Sequence, residues 1–364
     1  MRVRFHSSSS GIALIIVMLV VVVLGILAGG FAYSMKVETA LARNANMNTE
    51  MEWLGRSGIE LARYVLAQQL SIPNEAGYTA LNQKWAGAAG VTNELLAAIS
   101  LENYQLGRGS FSVKIVDLER KYNINVPIQT RDATILRQAM TLMGMDAGDT
   151  PQIANAILDW GDPDDDTQFG SAETESNYYL SLNPPYYAKN GPIDDLSELL
   201  LIHGITPPMY WGSGTGSKVA VNSVRRTGPS SLGIPDAQYS VGLVDLFTTI
   251  SSGQVNINTA PAIVLQLFPE IDENLASSIV TWRAGPDGVE GTEDDTPFHN
   301  VGELANVPGM TRGLAGQIAA RLGVQSFTFE VHVTAQIDRI KREYVAIVRR
   351  NDARTVPVLC MYWK

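Results

Sequence analysis

From Ile12 to Tyr33 the chain reads IALIIVMLVVVVLGILAGGFAY, without one charged, amide or histidine side chain. At about 1.5 Å of rise per residue this run covers roughly 33 Å, enough for the hydrocarbon core of a bilayer. The pattern continues beyond it. Met47, Met51, Leu54, Gly58, Leu61 and Val65 follow at steps of four, three, four, three and four. Lys36, Glu38, Arg43, Glu50, Glu52, Arg56, Glu60 and Arg63 fall outside that stripe. This is an amphipathic helix continuous with the apolar run. No proline lies between Ile12 and Ile72, so one helix is predicted from Ile12 to about Gln69, roughly 87 Å long. Half of it is expected in the membrane and half packed along its Met/Leu stripe.

A second period appears further on. Phe111–Glu119, FSVKIVDLE, alternates apolar and polar residues and predicts a strand. SFTFEVHVTAQI and KREYVAIVRRN alternate likewise on either side of a polar turn at Asp338–Arg339, which predicts an antiparallel hairpin, and VPVLCMYWK adds a last strand. About 200 residues separate the first strand from the others. Residues 121–324 therefore read as an insertion into a small sheet. That insertion contains an internal repeat. One copy runs from KYNINVP through AILDWGDPDDDTQFGSAE to PIDDLSELLLIHGIT; the other runs from GQVNINTAP through SIVTWRAGPDGVEGTEDD to PFHNVGELANVPGMT. Asn123 aligns with Asn256, Trp160 with Trp282, Glu198 with Glu303 and Gly204 with Gly309. The segment YWGSGTGSKVAVNSVRRTGPSS between them is Gly/Ser-rich and reads as a connector.

The chain's front decides its orientation. Arg2 and Arg4 precede the apolar run, so the positive-inside bias places the N-terminus in the cytoplasm and the remainder across the membrane. A secretory signal would have a shorter apolar region with a small-residue cleavage site after it, whereas here the small residue, Gly11, lies before it.

These residues resemble the type IV pilin and pseudopilin family: a short basic leader, a glycine before the apolar run, and a long helix carrying a head. The resemblance implies that residues 1–11 are a leader removed by a prepilin peptidase between Gly11 and Ile12, with methylation of the new terminus. Residues 12–70 would form the helix, 71–120 and 325–364 a pilin-like domain, and 121–324 a mainly helical inserted domain with two helix-hairpin-helix-like repeats. The fold class implied is α+β. Most members of the family carry Glu at the fifth mature position, where this chain has Ile16. A carboxylate in a bilayer is costly unless paired, and a subunit with no neighbour ahead of it gains nothing from one. With the two-copy insertion, this points to the K-type minor pseudopilins of type II secretion. That resemblance implies a subunit at the tip of a periplasmic fibre, anchored in the inner membrane. It implies I-type and J-type minor pseudopilins, other pseudopilus subunits, prepilin peptidase and the secretion machinery as partners, with contact to exported substrates. The alternative is a minor pilin of a type IV pilus or competence system with an adhesive or DNA-contacting head.

The DNA-contacting version is opposed by charge. VNINTAPAIVLQLFPEIDENLASSIVTWR resembles a helix-hairpin-helix module, but its hairpin carries Glu270 and Asp272 and no glycine. The whole chain has a net charge of -10, the wrong sign for neutralising phosphates. The Asn residues of the NIN segments are expected to cap helices instead, with Asn258 or Thr259 before Pro261. Cys360 is the single cysteine, so no intrachain disulfide can form.

Two acidic loops carry the clearest chemistry. Asp162, Asp164, Asp166 and Glu173 lie in the first, Asp287, Glu290, Asp294 and Asp295 in the second. Oxygen-only clusters suit a hard cation, and structural Ca²⁺ is the expectation for both, although neither loop has EF-hand spacing. A solvated acidic surface is the alternative. No G-x-S-x-G, H-E-x-x-H, P-loop or dinucleotide fingerprint occurs, and His203 and His299 precede no nucleophile motif, so no enzymatic activity is expected.

Overall fold

The computed structural model describes residues 10–88, 94–165, 176–212 and 239–364. Helix α1, Ser10–Gln69, runs unbroken for 60 residues. Its first half lies free of the rest of the chain, with Ile12, Leu19, Leu27 and Phe31 all exposed; its second half buries Met51, Leu54, Ile59, Ala62, Val65 and Leu66. The apolar stripe is thus the packed face, widened by Ile59, Ala62 and Leu66.

The strands in chain order are β1 (Tyr104–Leu106), β2 (Gly109–Asp117), β3 (Tyr122–Asn123), β4 (Phe247–Thr248), β5 (Val255–Asn256), β6 (Leu322–Gly323), β7 (Thr328–Ile337), β8 (Ile340–Arg349) and β9 (Val358–Trp363). Five of them form an antiparallel sheet in the order β1-β2-β7-β8-β9. The hairpin β7–β8 turns at Asp338–Arg339, with Asp338 in the left-handed region at φ 53°. The first long strand starts and stops two residues earlier than the alternation suggests, and the short β1 in front of it has no such pattern.

Alternation assigns the faces. Phe111, Val113 and Ile115 of β2 and Phe329, Val331, Val333 and Ala335 of β7 point under α1 and join its apolar side chains in one core. Close approach needs glycine on the helix: a Cβ on Gly58 would lie 2.4 Å from Val333 Cγ1.

The chain leaves this layer after β2 and returns at β7. Between them a second core gathers Ile124, Leu136, Met140, Ile157, Trp160, Tyr179, Leu246, Phe268, Ile279 and Ile318, among others. Two short parallel ladders, β3 with β4 and β5 with β6, begin its two NIN segments. Local geometry recurs between them. Asn123 Oδ1 accepts from Asn125 N, and Asn256 Oδ1 accepts from Asn258 N, each at 2.9 Å. Glu198 and Glu303 each accept backbone N–H groups at the start of a 3-10 helix, and Gly204 and Gly309 each lie in the turn that follows it, with φ of 85° and 90°.

One expectation is corrected here. Neither Asn258 nor Thr259 caps the helix Ala262–Leu265, whose N-cap is Pro261. Asn258 instead brackets Phe298, donating to its carbonyl at 2.9 Å and accepting from its N–H at 2.8 Å, while Thr259 donates to Asp117. These side chains satisfy buried loop backbone and a buried carboxylate, which costs more to leave unpaired than a helix end open to water.

Candidate functional site: the helix, the junction and the acidic loops

The first half of α1 is a long apolar surface that no other described part of the chain covers. Its side chains from Ile12 to Leu27 are exposed without interruption, and the helix is long and apolar enough to cross a membrane. Gly11, expected at the processing point, lies one residue inside the start of α1, directly before Ile12. Because α1 does not break, whatever holds its first half is mechanically coupled to the sheet packed on its second.

The head is joined to this rod by a buried polar knot. Asp117 lies at the inward end of β2, in register with Phe111, Val113 and Ile115, where another apolar residue would be expected. Its Oδ2 accepts from Ser326 Oγ at 2.6 Å, from Asn256 Nδ2 at 3.3 Å and from Thr259 Oγ1; its Oδ1 accepts from Glu119 N at 2.8 Å. Asn256 Nδ2 also donates to Thr79 O at 2.9 Å. Glu119 accepts from Ser252 N at 3.2 Å and Thr328 N at 3.0 Å. Arg350 donates to Thr79 Oγ1 and Ser326 O, both at 2.7 Å, and lies over the Phe329 ring. Three pieces therefore meet at one place: the loop after α1, the sheet, and the second NIN segment.

Burial governs the charges of this knot. It pushes the Asp117 carboxyl up against the pull of its hydroxyl and amide donors, and it lifts Glu119 to about 8, with the Asp117 charge adding to the effect. Burial lowers Arg350 to about 10, opposed by the two carboxylates. Sequence reading passed over this group. The available signal was an acid standing at an inward position of an alternating strand.

The acidic loops differ from one another. In the second, following the helix Glu273–Arg283, the carboxylates turn inward to their own backbone. Asp287 accepts from Val289 N at 2.7 Å, Asp294 from Asp287 N at 3.1 Å, and Asp295 from Gly291 N at 2.8 Å. Glu290 pairs with the buried Arg283, whose guanidinium also donates to Ile257 O. Gly285, Gly288 and Gly291 all have positive φ, and at Gly285 a Cβ would collide with the Asp294 carbonyl. The loop is thus organised by hydrogen bonds and one ion pair.

In the first loop, Asp162 closes the helix Thr150–Gly161 with its side chain only 3 % exposed. Both its oxygens lack a hydrogen-bond donor among the described residues, and the Arg131 guanidinium stands 4.0 Å away. Burial raises this carboxyl to about 6, and the charges of Asp164 and Asp159 push the same way. Asp164 lies 3.6 Å from Arg131. Asp166 and Glu173 fall outside the described residues. Among the described residues no three His, Cys, Asp or Glu side chains converge as a metal cage. Among the described members of the expected set, Asp162 is the one whose oxygens are both buried without a hydrogen-bond donor, its charge faced only by Arg131 at 4.0 Å, and a cation would satisfy them.

Comparison with known proteins follows the same outline. The family described as type II secretion system (T2SS), protein K matches residues 115–211. Type II secretion system protein K of Pseudomonas aeruginosa is 26% identical over 297 residues, covering 79% of this chain and 76% of that protein. The protein of that name from Klebsiella pneumoniae is 26% identical over 213 residues, 55% of this chain and 59% of the relative's length. Among solved structures, a chain of the GspK-GspI-GspJ complex from enterotoxigenic Escherichia coli superposes with a TM-score of 0.62 at 17% identity, over 89% of this chain and 99% of that one. That likeness establishes a shared fold: long N-terminal helix, antiparallel sheet and helical insertion.

Proposed function

The chain belongs to the type II secretion protein K family, and from that premise we propose that it is the tip subunit of the type II secretion pseudopilus. In this reading α1 starts in the inner membrane with its N-terminus cytoplasmic and the head periplasmic. Prepilin peptidase cuts between Gly11 and Ile12. The chain associates with I-type and J-type minor pseudopilins, initiates the fibre and caps it. Growth below then drives exported proteins toward the outer membrane. The role is mechanical and non-enzymatic.

One observation carries the reading: a single unbroken helix has its first half bare and apolar and its second half locked under a sheet. A rod of this kind transmits axial force from a membrane-embedded or fibre-embedded segment into the head. The large insertion supports the terminal position, since its bulk would make it hard to stack another subunit above it. Ile16 supports it too, because a subunit with nothing ahead of it has no use for a buried counter-charge.

Within the same reading the acidic loops are seats for structural Ca²⁺. The set is Asp162, Asp164, Asp166 and Glu173 in the first loop, and Asp287, Glu290, Asp294 and Asp295 in the second. The buried oxygens of Asp162, without a hydrogen-bond donor among the described residues, favour the first. Bound cation would pin that loop against the helix Thr150–Gly161 and add stability by mass action.

The test is deletion of the gene with readouts for exoprotein secretion, piliation and DNA uptake. Loss of secretion with the other two intact is expected. Intact secretion with lost piliation or DNA uptake would favour a type IV pilus or competence subunit instead.

A further inference from the structure

The last strand departs from the pattern of its neighbours. β2 and β7 alternate buried and more open positions, as strands with one covered face do. β9 reads Val358-Leu359-Cys360-Met361-Tyr362-Trp363, apolar on both faces, and all six side chains are exposed. A run apolar on both faces belongs to strands covered above and below. Here it stands at the edge of the sheet, with one side of its backbone unpaired among the described residues. No charge or proline interrupts its six residues, although exposed edges are ordinarily blunted in those ways.

The surroundings specify what fits. Met361 and Trp363 pair with Ala346 and Tyr344, so they share the face on which α1 lies; Cys360 and Tyr362 share the opposite one. α1 covers Tyr344 but stops short of β9, leaving a cleft of about 260 Å³ between Glu52 and Arg56 on the helix and Met361 and Trp363 on the strand. Arg342 stacks on Trp363 and donates to Asn48 at the end of this cleft. The floor is apolar and the wall charged, the section that an amphipathic helix lying beside α1 would fill.

Direction narrows the occupant further. Asn48 meets Arg342, and Arg63 reaches Val356 beyond the end of β8, so β8 runs with α1 and β9 runs back toward the bare end of the helix. Two copies pairing their β9 strands antiparallel about a twofold axis would point their α1 helices in opposite directions. Chains anchored through the same helix in one membrane cannot do that.

We infer that β9 seats a different helix-on-sheet subunit, which adds a strand to the free edge and lays its own helix over Met361 and Trp363 alongside α1. The inference rests on the fibre-subunit reading, because a neighbour rising from the same membrane in the same direction is what brings such a helix and strand together. The added strand satisfies the open backbone edge, and the added helix covers the apolar floor.

Cys360 is the only cysteine in the chain, lies on β9 and is exposed, so it reports on the strand without any substitution. Spheroplasts holding the full-length chain, alone or co-expressed with I-type and J-type subunits, are treated with a membrane-impermeant maleimide. Co-purification of those subunits is measured in parallel. The expected result is co-purification with labelling of Cys360 slowed about tenfold, and about tenfold weaker co-purification for Met361→Lys and Trp363→Lys at an unchanged melting temperature. If no subunit co-purifies with the parent chain, the fibre-subunit reading fails. If they co-purify while Cys360 labels at its free rate and both lysine variants bind like the parent, the assignment of β9 fails alone. Cys360 already shielded in the chain expressed alone would mean that lipid or a second copy covers the strand, and would overturn it as well.

Discussion

Gly55 of α1 rests on the ring of Tyr344 in β8, so closely that a Cβ at position 55 would lie 2.4 Å from Cδ2 of the ring. Gly58, one turn on, meets Val333 of β7 in the same way. These two glycines let the rod lie directly on the sheet, and the coupling between membrane segment and head passes through that contact. Replacing Gly58 with Val forces a branched side chain against another branched side chain. The expected cost is about 1–3 kcal/mol, beyond what better helix propensity returns. Thermal unfolding of the full-length chain in detergent checks it, and an unchanged melting temperature would show that helix and sheet are not in close register.

The junction knot makes stability depend on pH. Burial raises Glu119 to about 8 from an unfolded value near 4.5. A group whose folded pKa is raised binds its proton more tightly when folded, so its contribution is complete below about pH 4.5 and fades as pH climbs through 8. Asp117 shifts in the same direction, and the nearby Arg350 stays charged across this range. The chain is therefore expected to melt higher at pH 6 than at pH 8.5, with Glu119→Gln flattening that difference. A parent and a variant with the same slope would remove the knot from the account.

The metal-free first loop carries its own sign. Asp162, raised to about 6, is destabilising when ionised, so its contribution falls as pH rises from about 4 through 6. At pH 7.5 in chelator, Asp162→Asn is expected to raise the melting temperature of the chain. In calcium the order should reverse, since the parent gains a bound ion and the variant loses a ligand. Melting of both proteins with calcium and with chelator decides the matter; no response of the parent to either would end the calcium proposal.

Arg283 offers a control for the second loop. It is buried, and Glu290 is its charged partner. Glu290→Gln is expected to cost about 1–3 kcal/mol through a weakened charge-assisted bond and an uncompensated buried cation. Because Glu290 also belongs to the proposed calcium set, the fall in melting temperature should appear in chelator and be larger in calcium. An equal fall in both would leave Glu290 to Arg283 alone and remove it from the calcium set.

Much of this architecture could be read from periodicity. The step of three and four from Met47 to Val65 locates the packed face of α1, and the alternations around 111–119 and 328–349 locate three strands of the sheet. What periodicity does not carry is long-range polar pairing. Asp117, Asn256, Ser326 and Arg350 are far apart in the chain, and only the return of β7 beside β2 brings them together. Thr259 shows the same limit, as a plausible helix cap that is claimed by a carboxylate 142 positions away. In the acidic loops the charges were legible, but not their partners, the backbone amides and Arg283.

The most direct test is the mass of the mature N-terminus of the chain recovered from membranes. A polypeptide that begins at Ile12, with the whole apolar half of α1 retained, is the predicted result. A mature chain beginning beyond Tyr33 would leave no segment to hold the rod in a bilayer or a fibre, and would contradict the account.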